Sequence, residues 1–410
     1  FLKPPAGKSF EGDPLIAKTA PTVKLQMFTH LEPEYFSGED QYMACWANWA
    51  YVARSDDNRF YMAASDHLAK GCDINVYEYD PRGDSFKRII DVDELLGWTD
   101  DMYTDGKIHG AMDVMPDGTL WGATHYGVKP TEEWYESGYR GSWLFSYNVN
   151  TGEGKNWGVP LVGNALPCFA VDTRRGYFVG TGYKDTMLSW DCNEKSVRYA
   201  AYPPNGWVWW RRSMLLDEKT GKFWSMDASE EPYHFMSFDP KNNRFERYDI
   251  TVPENPFQKK VRKLRGHTPR PAMDGWYYWA TWNGAFFKFK PETPDGPKVE
   301  PVGVTWDRGK DTLQLAVSPK GRYVYYHPKR TSAVVQYDVK TGKKKALCFL
   351  QDYYSEKYGY WMGDHIYGLE ISKDGSFLVM VMNGTFAGRG RSFGHPAICV
   401  VEIPASERKE

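Results

Sequence analysis

One phrase recurs seven times along these 410 residues: an apolar strand, a turn built from Asp, Gly or Lys, and a second apolar strand. It reads YVARSDDNRFYMAASDH at 51–67, DGKIHGAMDVMPDGTLWGATHYGV at 105–128, FAVDTRRGYFVGTGY at 169–183 and MLLDEKTGKFWSMDA at 214–228. It returns as PAMDGWYYWATWN at 271–283, LAVSPKGRYVYYHP at 315–328 and LEISKDGSFLVMVMN at 369–383. After most copies comes a second hairpin, such as LFSYNVNTGEGKNW or VVQYDVKTGKKKAL, with an aromatic residue just ahead of the polar residue that opens its turn. A lone hairpin buries too little apolar surface to hold together in water, so such units must stack on one another. Two hairpins per unit, at a period of about 40–60 residues, is the spacing of four-stranded propeller blades, whose radial arrangement leaves only short strand edges exposed. The chain therefore reads as all-β, a single domain over 1–410 forming a seven-bladed β-propeller. Two stacked β-sandwiches are the lesser reading of the same alternation.

The last unit shows three clear strands, ending in AICVVEIP at 397–404, while the apolar stretch PTVKLQMFTHL at 21–31 has no unit of its own. Pairing the two closes the ring and leaves residues 1–20 as an extended arm. Composition agrees with a β-rich chain: 16% of residues are aromatic, 38 glycines punctuate the sequence, and no long stretch has the period of an amphipathic helix. A net charge of −2 supplies no overall field to recruit nucleic acid or an anionic membrane, so any taste for a charged ligand must be local. No apolar run reaches the length of a membrane span, and the chain starts at Phe1, which suits a protein whose leader has been removed. The expected setting is secreted or periplasmic, as a monomer. Six cysteines (Cys45, Cys72, Cys168, Cys192, Cys348 and Cys399) form no CxxC pair and no zinc-finger spacing.

In a propeller, the start of each innermost strand and the end of each second strand lie on one face of the disc. Of nine histidines, His109, His267 and His365 fall at innermost-strand starts, and His67, His125 and His327 at second-strand ends. Tyr183 ends the second strand of its unit, and Arg211 and Arg212 open the innermost strand of the next, directly after GWVWW. Trp46, Asn48, Trp282 and Asn383 map to the same rim. A single rim histidine more commonly closes a turn by bonding a backbone carbonyl, and His67 and His327 are placed to do so. The pair His109 and His125 differs, because adjacent imidazoles disfavour each other's protonated form and so suit neutral bases or metal ligands. His267 and His365, the latter following Asp364, could hold a divalent cation (calcium, zinc or manganese) in the channel, although no compact ligand spacing marks one. Arg211 and Arg212 are neighbours in a strand, so only one can face the channel. GWVWWRR is then either a packed blade start or a sugar-binding wall, with Trp209 stacked on a pyranose ring and an Arg forking a carboxylate.

Several chemistries lack their motifs: there is no GxSxG elbow, no phosphate-binding or dinucleotide glycine loop, no HExxH and no repeated Asp-box. Asp66, Asp227 and Asp364 fall near the rim in different units, a spacing that does not suggest the acid pair of a glycosidase.

A seven-bladed propeller with histidines on the first and second strands of one blade, then a Tyr and an Arg from following blades, resembles the propeller polysaccharide lyases. These are the ulvan lyases and the lyases that cut rhamnose from glucuronic acid. The resemblance implies β-elimination in an acidic polysaccharide or oligosaccharide. The uronate carboxylate is neutralised, the C5 proton is removed, and the bond from C4 to its oxygen breaks to leave an unsaturated sugar. It implies catalytic roles for His109 and His125, for Tyr183 (with Tyr199 or Tyr202 as the other candidates, since Tyr and Arg stand closer in those families) and for Arg212. Arg211, Trp209, Trp46, Asn48, Trp282 and His267 are the expected substrate contacts. Two other readings fit the fold: a glycoside hydrolase of the propeller α-rhamnosidase type, with a different hydrolytic site for which the opposite face is a candidate, and a non-catalytic glycan-binding propeller.

Overall fold

The computed structural model of the protein describes residues 1–5, 15–31, 46–66, 70–362, 366–386 and 393–410. It contains seven antiparallel sheets in series, which form the seven blades of a propeller. From the channel outward, the first four blades are Ala53–Arg54, Phe60–Ser65, Ile74–Asp80 and Ser85–Asp91; Lys107–Ile108 with Asp113–Val114, Thr119–His125, Leu144–Asn148 and Gly154–Asn156; Cys168–Asp172, Tyr177–Thr181, Met187–Asp191 and Ser196–Ala201; and Leu215–Asp217, Lys222–Met226, His234–Asp239 and Arg244–Thr251. The fifth is Leu264–His267, Tyr277–Thr281, Ala285–Lys290 and Lys298–Val304, and the sixth Ala316–Val317, Tyr323–Tyr326, Ala333–Asp338 and Lys343–Phe349. The seventh combines Ile366–Ile371, Phe377–Gly384 and His395–Glu402 with Thr22–Met27 as its outer strand. Val23 faces Val401 and Met27 faces Ala397 across that seam, so the N-terminal strand closes the ring as expected. Part of the arm is itself paired: Leu15–Ile16 adds a fifth, parallel strand to the sixth blade. No helix among the described residues is long and apolar enough to cross a membrane.

The aromatic-then-polar signature of the second hairpins has a local cause. Asn148 Oδ1 accepts from the backbone N–H of Asn150 and Thr151, each at 3.0 Å, and Asp191 Oδ1 does the same for Asn193 and Glu194. Asp338 repeats the bond with Lys340 at 2.9 Å. These side chains replace the strand ladder with a turn, while the aromatic ahead of two of them, Trp190 and Tyr337, is buried between blades. The core accordingly lies between the sheets: Val179 and Met187 of the third blade meet Phe223 and Met236 of the fourth, and Val379 and Ile398 of the seventh meet Phe60 and Met62 of the first.

What positions the site is a break in the innermost strands. In the second blade, Lys107 pairs with His125 and Asp113 with Trp121, but the chain between leaves the ladder to bond its neighbours. The Tyr51 N–H donates to the Gly110 carbonyl, and the Ala111 N–H to that of Phe169. Register also shifts between Leu264 and His267 in the fifth blade and between Ile366 and Leu369 in the seventh. Each break carries a glycine pressed against the adjacent blade: a Cβ on Gly110 would sit 2.3 Å from the Phe169 ring, and one on Gly266 2.2 Å from the Leu313 carbonyl oxygen. The residue before each glycine, His109, Arg265 and Tyr367, is thereby presented to one mouth of the channel.

Candidate active site

His109 is the hub of that mouth. Its ring stacks on Trp49 at 6.0 Å between centroids, meets His125 edge-on at 5.5 Å and Tyr367 at 5.7 Å. The Arg212 guanidinium, from the fourth blade, donates to its Nε2, which leaves Nδ1 to carry the ring proton. Burial, then Arg212 and only then His125 hold His109 well below the usual histidine range, so its ring leans neutral chiefly because it is buried. Arg212 alone of the two arginines turns inward. Arg211 points to the rim, with its guanidinium 4.5 Å over the Tyr183 ring, bonded to the Tyr183 carbonyl and 3.6 Å from Asp185. Tyr183 in turn meets Tyr126 at 5.3 Å, and the Tyr126 phenol is pushed up by burial first and then by its hydrogen bond to Tyr183.

Six participants were not singled out from the sequence, Trp49 and Tyr126 among them. Arg265, 2% exposed, donates to the Tyr367 hydroxyl at 3.3 Å and lies 4.0 Å from the centroid of the Trp282 ring. Tyr51, Arg265 and Tyr367 line one hollow with His109 and Arg212. Lys107 stands directly across from His125, with its ammonium 5.0 Å from the Trp49 centroid and 5.9 Å from that of Tyr126. Burial, and then Arg212, lowers the Lys107 amine to about 7. A sequence signal for Arg265 and Tyr367 did exist: KIHG at 107–110, KLRG at 263–266 and HIYG at 365–368 are one motif, a channel-facing residue followed by the glycine that allows the strand to break.

Other expected contacts lie elsewhere. Trp46 is fully buried among Phe28, Val52 and Phe60, and Trp209, 1% exposed, packs between the third and fourth blades against Phe223 and Met236, so neither can stack on a sugar. Asn48 is a seam residue: its N–H donates to Asn383 Oδ1 at 2.7 Å, and Asn383 Nδ2 returns a bond to its carbonyl at 2.8 Å. His267 sits below the mouth, its Nδ1 3.1 Å from the Thr268 carbonyl oxygen, and burial lowers it to about 4. It opens instead onto a cavity of about 230 Å³ at the far end of the channel, beside Asp113, Arg54, Arg270 and Glu370. His327 closes its turn on the Ala333 carbonyl at 2.9 Å. Tyr199 belongs to an outer strand, bonded to the Tyr202 carbonyl, and Tyr202 is exposed beyond it, so Tyr183 is the tyrosine of the three that approaches the mouth. Trp282, 39% exposed, keeps its rim position. Asp66 bonds the Asp73 N–H, and Asp227 the Val208 N–H.

His67, Asp364 and His365 lie outside the described residues. Among the described residues, the group able to hold a metal is Asp73, Asp91 and Asp93 in the first blade.

No family model and no curated protein matches the chain. Among solved structures, a chain in the crystal structure of the mitotic checkpoint complex is similar over 98% of this protein and 95% of its own length, with a TM-score of 0.56 and 10% identity. At that identity the likeness shows the propeller fold alone.

Proposed function

We propose that the protein is a polysaccharide lyase that cleaves a uronic-acid-containing glycan by β-elimination at the His109 mouth. One observation carries the reading: Arg212 and Arg265 line the same buried hollow as His109, Tyr51 and Tyr367, and among the described residues no carboxylate lies within 4.0 Å of Arg212, while the Asp311 carboxylate stands 4.0 Å from Arg265 Nε. Burying the Arg212 cation without an anion is costly, so the site suits a ligand that brings one. A uronate carboxylate seated against Arg212 and Arg265 would acidify C5, because the same guanidinium groups meet the enolate-like charge as it develops. The C5 proton passes to a neutral base in the corner formed by His109, His125 and Lys107. The C5–H electrons become the C4=C5 double bond, the C4–O bond breaks, and Tyr183 gives its hydroxyl proton to the leaving oxygen.

The test is absorbance at the unsaturated-uronate band during incubation with a panel of uronic-acid polysaccharides. Tyr183→Phe should cost about 10²–10⁴ in turnover while leaving substrate binding intact; a variant of near-full activity removes Tyr183 from the mechanism. A different observation favours a hydrolase as the second reading. At the far mouth, burial pushes the Asp113 carboxyl up to about 7 and also raises Glu370, giving two acids of the kind a glycosidase uses. That reading predicts new reducing ends without the absorbance.

A further inference from the structure

We propose that Lys107 is the base that takes the C5 proton. The inference rests on the elimination reading above and names its proton acceptor.

Three nitrogens meet at the corner. His109 is engaged, since the lone pair on its Nε2 already accepts from Arg212 and its other nitrogen carries the proton. His125, 1% exposed, is folded down onto Tyr126 with 4.2 Å between ring centroids. Lys107 is 9% exposed, and among the described residues no hydrogen bond or carboxylate within 4.0 Å holds its amine, which lies against the faces of Trp49 and Tyr126. Its amine is thus not committed to a hydrogen-bond partner, as the His109 ring is. The charged and titratable groups that face it are Arg212 from the fourth blade, His109 beyond it on the same segment, His125 on the paired strand, Tyr126 following that strand, and Asp105, which is itself tied up by Thr124 and Tyr139 at 2.6 Å each. With the amine lowered to about 7, about half of it is free at neutral pH, close to the optimum for a base, whereas His109 is too weak a base to match it. In the step, the neutral amine gains the C5 proton and becomes an ammonium, and the electron pair goes to the new double bond.

Lys107→Met and Lys107→Arg should each lose about 10²–10⁴ in kcat on a polymer that the wild type cleaves, because neither side chain can accept a proton at neutral pH. Lys107→Ala should recover activity with added small primary amines, in the order of their basicity, which a structural role would not produce. The acid limb of the wild-type profile should have its midpoint near 7. Where the variants fail to fold, competitive acetylation of the wild type by acetic anhydride, read by peptide mass spectrometry, decides: the midpoint of Lys107 reactivity should lie about three pH units below the ordinary lysine value of 10.5. A midpoint at the ordinary lysine value, or undiminished product from Lys107→Met, overturns the inference and leaves the elimination standing. No unsaturated product from the wild type on any uronate polymer overturns both.

Discussion

Arg211 and Arg212 are adjacent in sequence and opposite in task, which makes them a controlled comparison. Arg212 is largely desolvated against His109, and burial pulls its guanidinium below the usual arginine range, while Arg211 is about a third exposed and already has Asp185 and the Tyr183 ring for company. Arg212→Ala should therefore lower kcat/KM roughly a hundredfold or more, with losses in both terms, whereas Arg211→Ala should cost less than about tenfold. Equal losses on uronate cleavage would show that the inward guanidinium is not the carboxylate partner. Lys107 allows a second test that needs no substrate. Its amine falls from an ordinary 10.5 to about 7 on folding, so between those values the unfolded chain holds a proton that the folded chain does not, and stability rises with pH across that window. Below about 7 both states are protonated and the folded state carries the full cost of a buried ammonium. Lys107→Met should thus stabilise the protein by on the order of a few kcal/mol at pH 6 and by clearly less at pH 10, as read from urea midpoints. At this scale the opposite facing of Arg211 and Arg212 was legible but its cause was not: the two stand in a turn ahead of the strand Leu215–Asp217, not in the strand itself. Trp46 and Trp209 were not, because a blade buries both of its faces and period-two patterning cannot tell the seam from the channel.

The innermost strands do two jobs, pairing outward within a blade and presenting side chains inward, and the glycine breaks reconcile them. At Gly266 an added methyl would meet the Leu313 and Thr312 carbonyl oxygens at 2.2 and 2.5 Å, both backbone atoms of the next blade. At Gly110 the obstacle is the Phe169 ring, which can tilt. Gly266→Ala should cost roughly 1–3 kcal/mol or more and Gly110→Ala less, measured by denaturant unfolding, and both should impair turnover by displacing Arg265 or His109. The reverse order of stability would mean that the inter-blade contact at Gly266 is soft. The hairpins themselves were readable from their turns and apolar runs. The breaks were not, because a polar residue followed by glycine looks like an ordinary strand start until KIHG, KLRG and HIYG are set side by side.

Seven repeats announce a ring, but a ring also needs a seam, and here the seam is next to the site. Thr22–Met27 makes six register pairs with His395–Glu402 of the seventh blade, and the residues around it reach across to the first. Phe28 packs edge-on to Tyr77 at 4.6 Å, the Tyr77 hydroxyl bonds the Thr29 carbonyl, and Gln26 Nε2 donates to Asp84 at 2.9 Å. The arm ahead of it is tied to the sixth blade through the two-residue parallel strand and the Phe1 carbonyl that accepts from Phe349 at 2.7 Å, and to the C-terminal segment through the Lys18 and Thr19 N–H groups, which donate to the Glu407 carboxylate at 2.7 and 3.0 Å. The closure was legible because a three-stranded last unit and an orphan strand are complementary; the pairing of the arm was not, since two residues leave no periodicity to read. These unequal attachments separate two deletions. Removing residues 1–20 should lower the urea midpoint modestly and leave the unfolding slope unchanged. Removing 1–31 should open the joint between blades seven and one, expose the His395–Glu402 edge to intermolecular pairing, and reduce the slope as cooperativity fails. Because Trp49 comes from the first blade and Tyr367 from the seventh, and both pack against His109, the longer deletion should also abolish any activity at that mouth. Identical midpoints and slopes for the two deletions would mean that the ring is held shut by the inner strands alone.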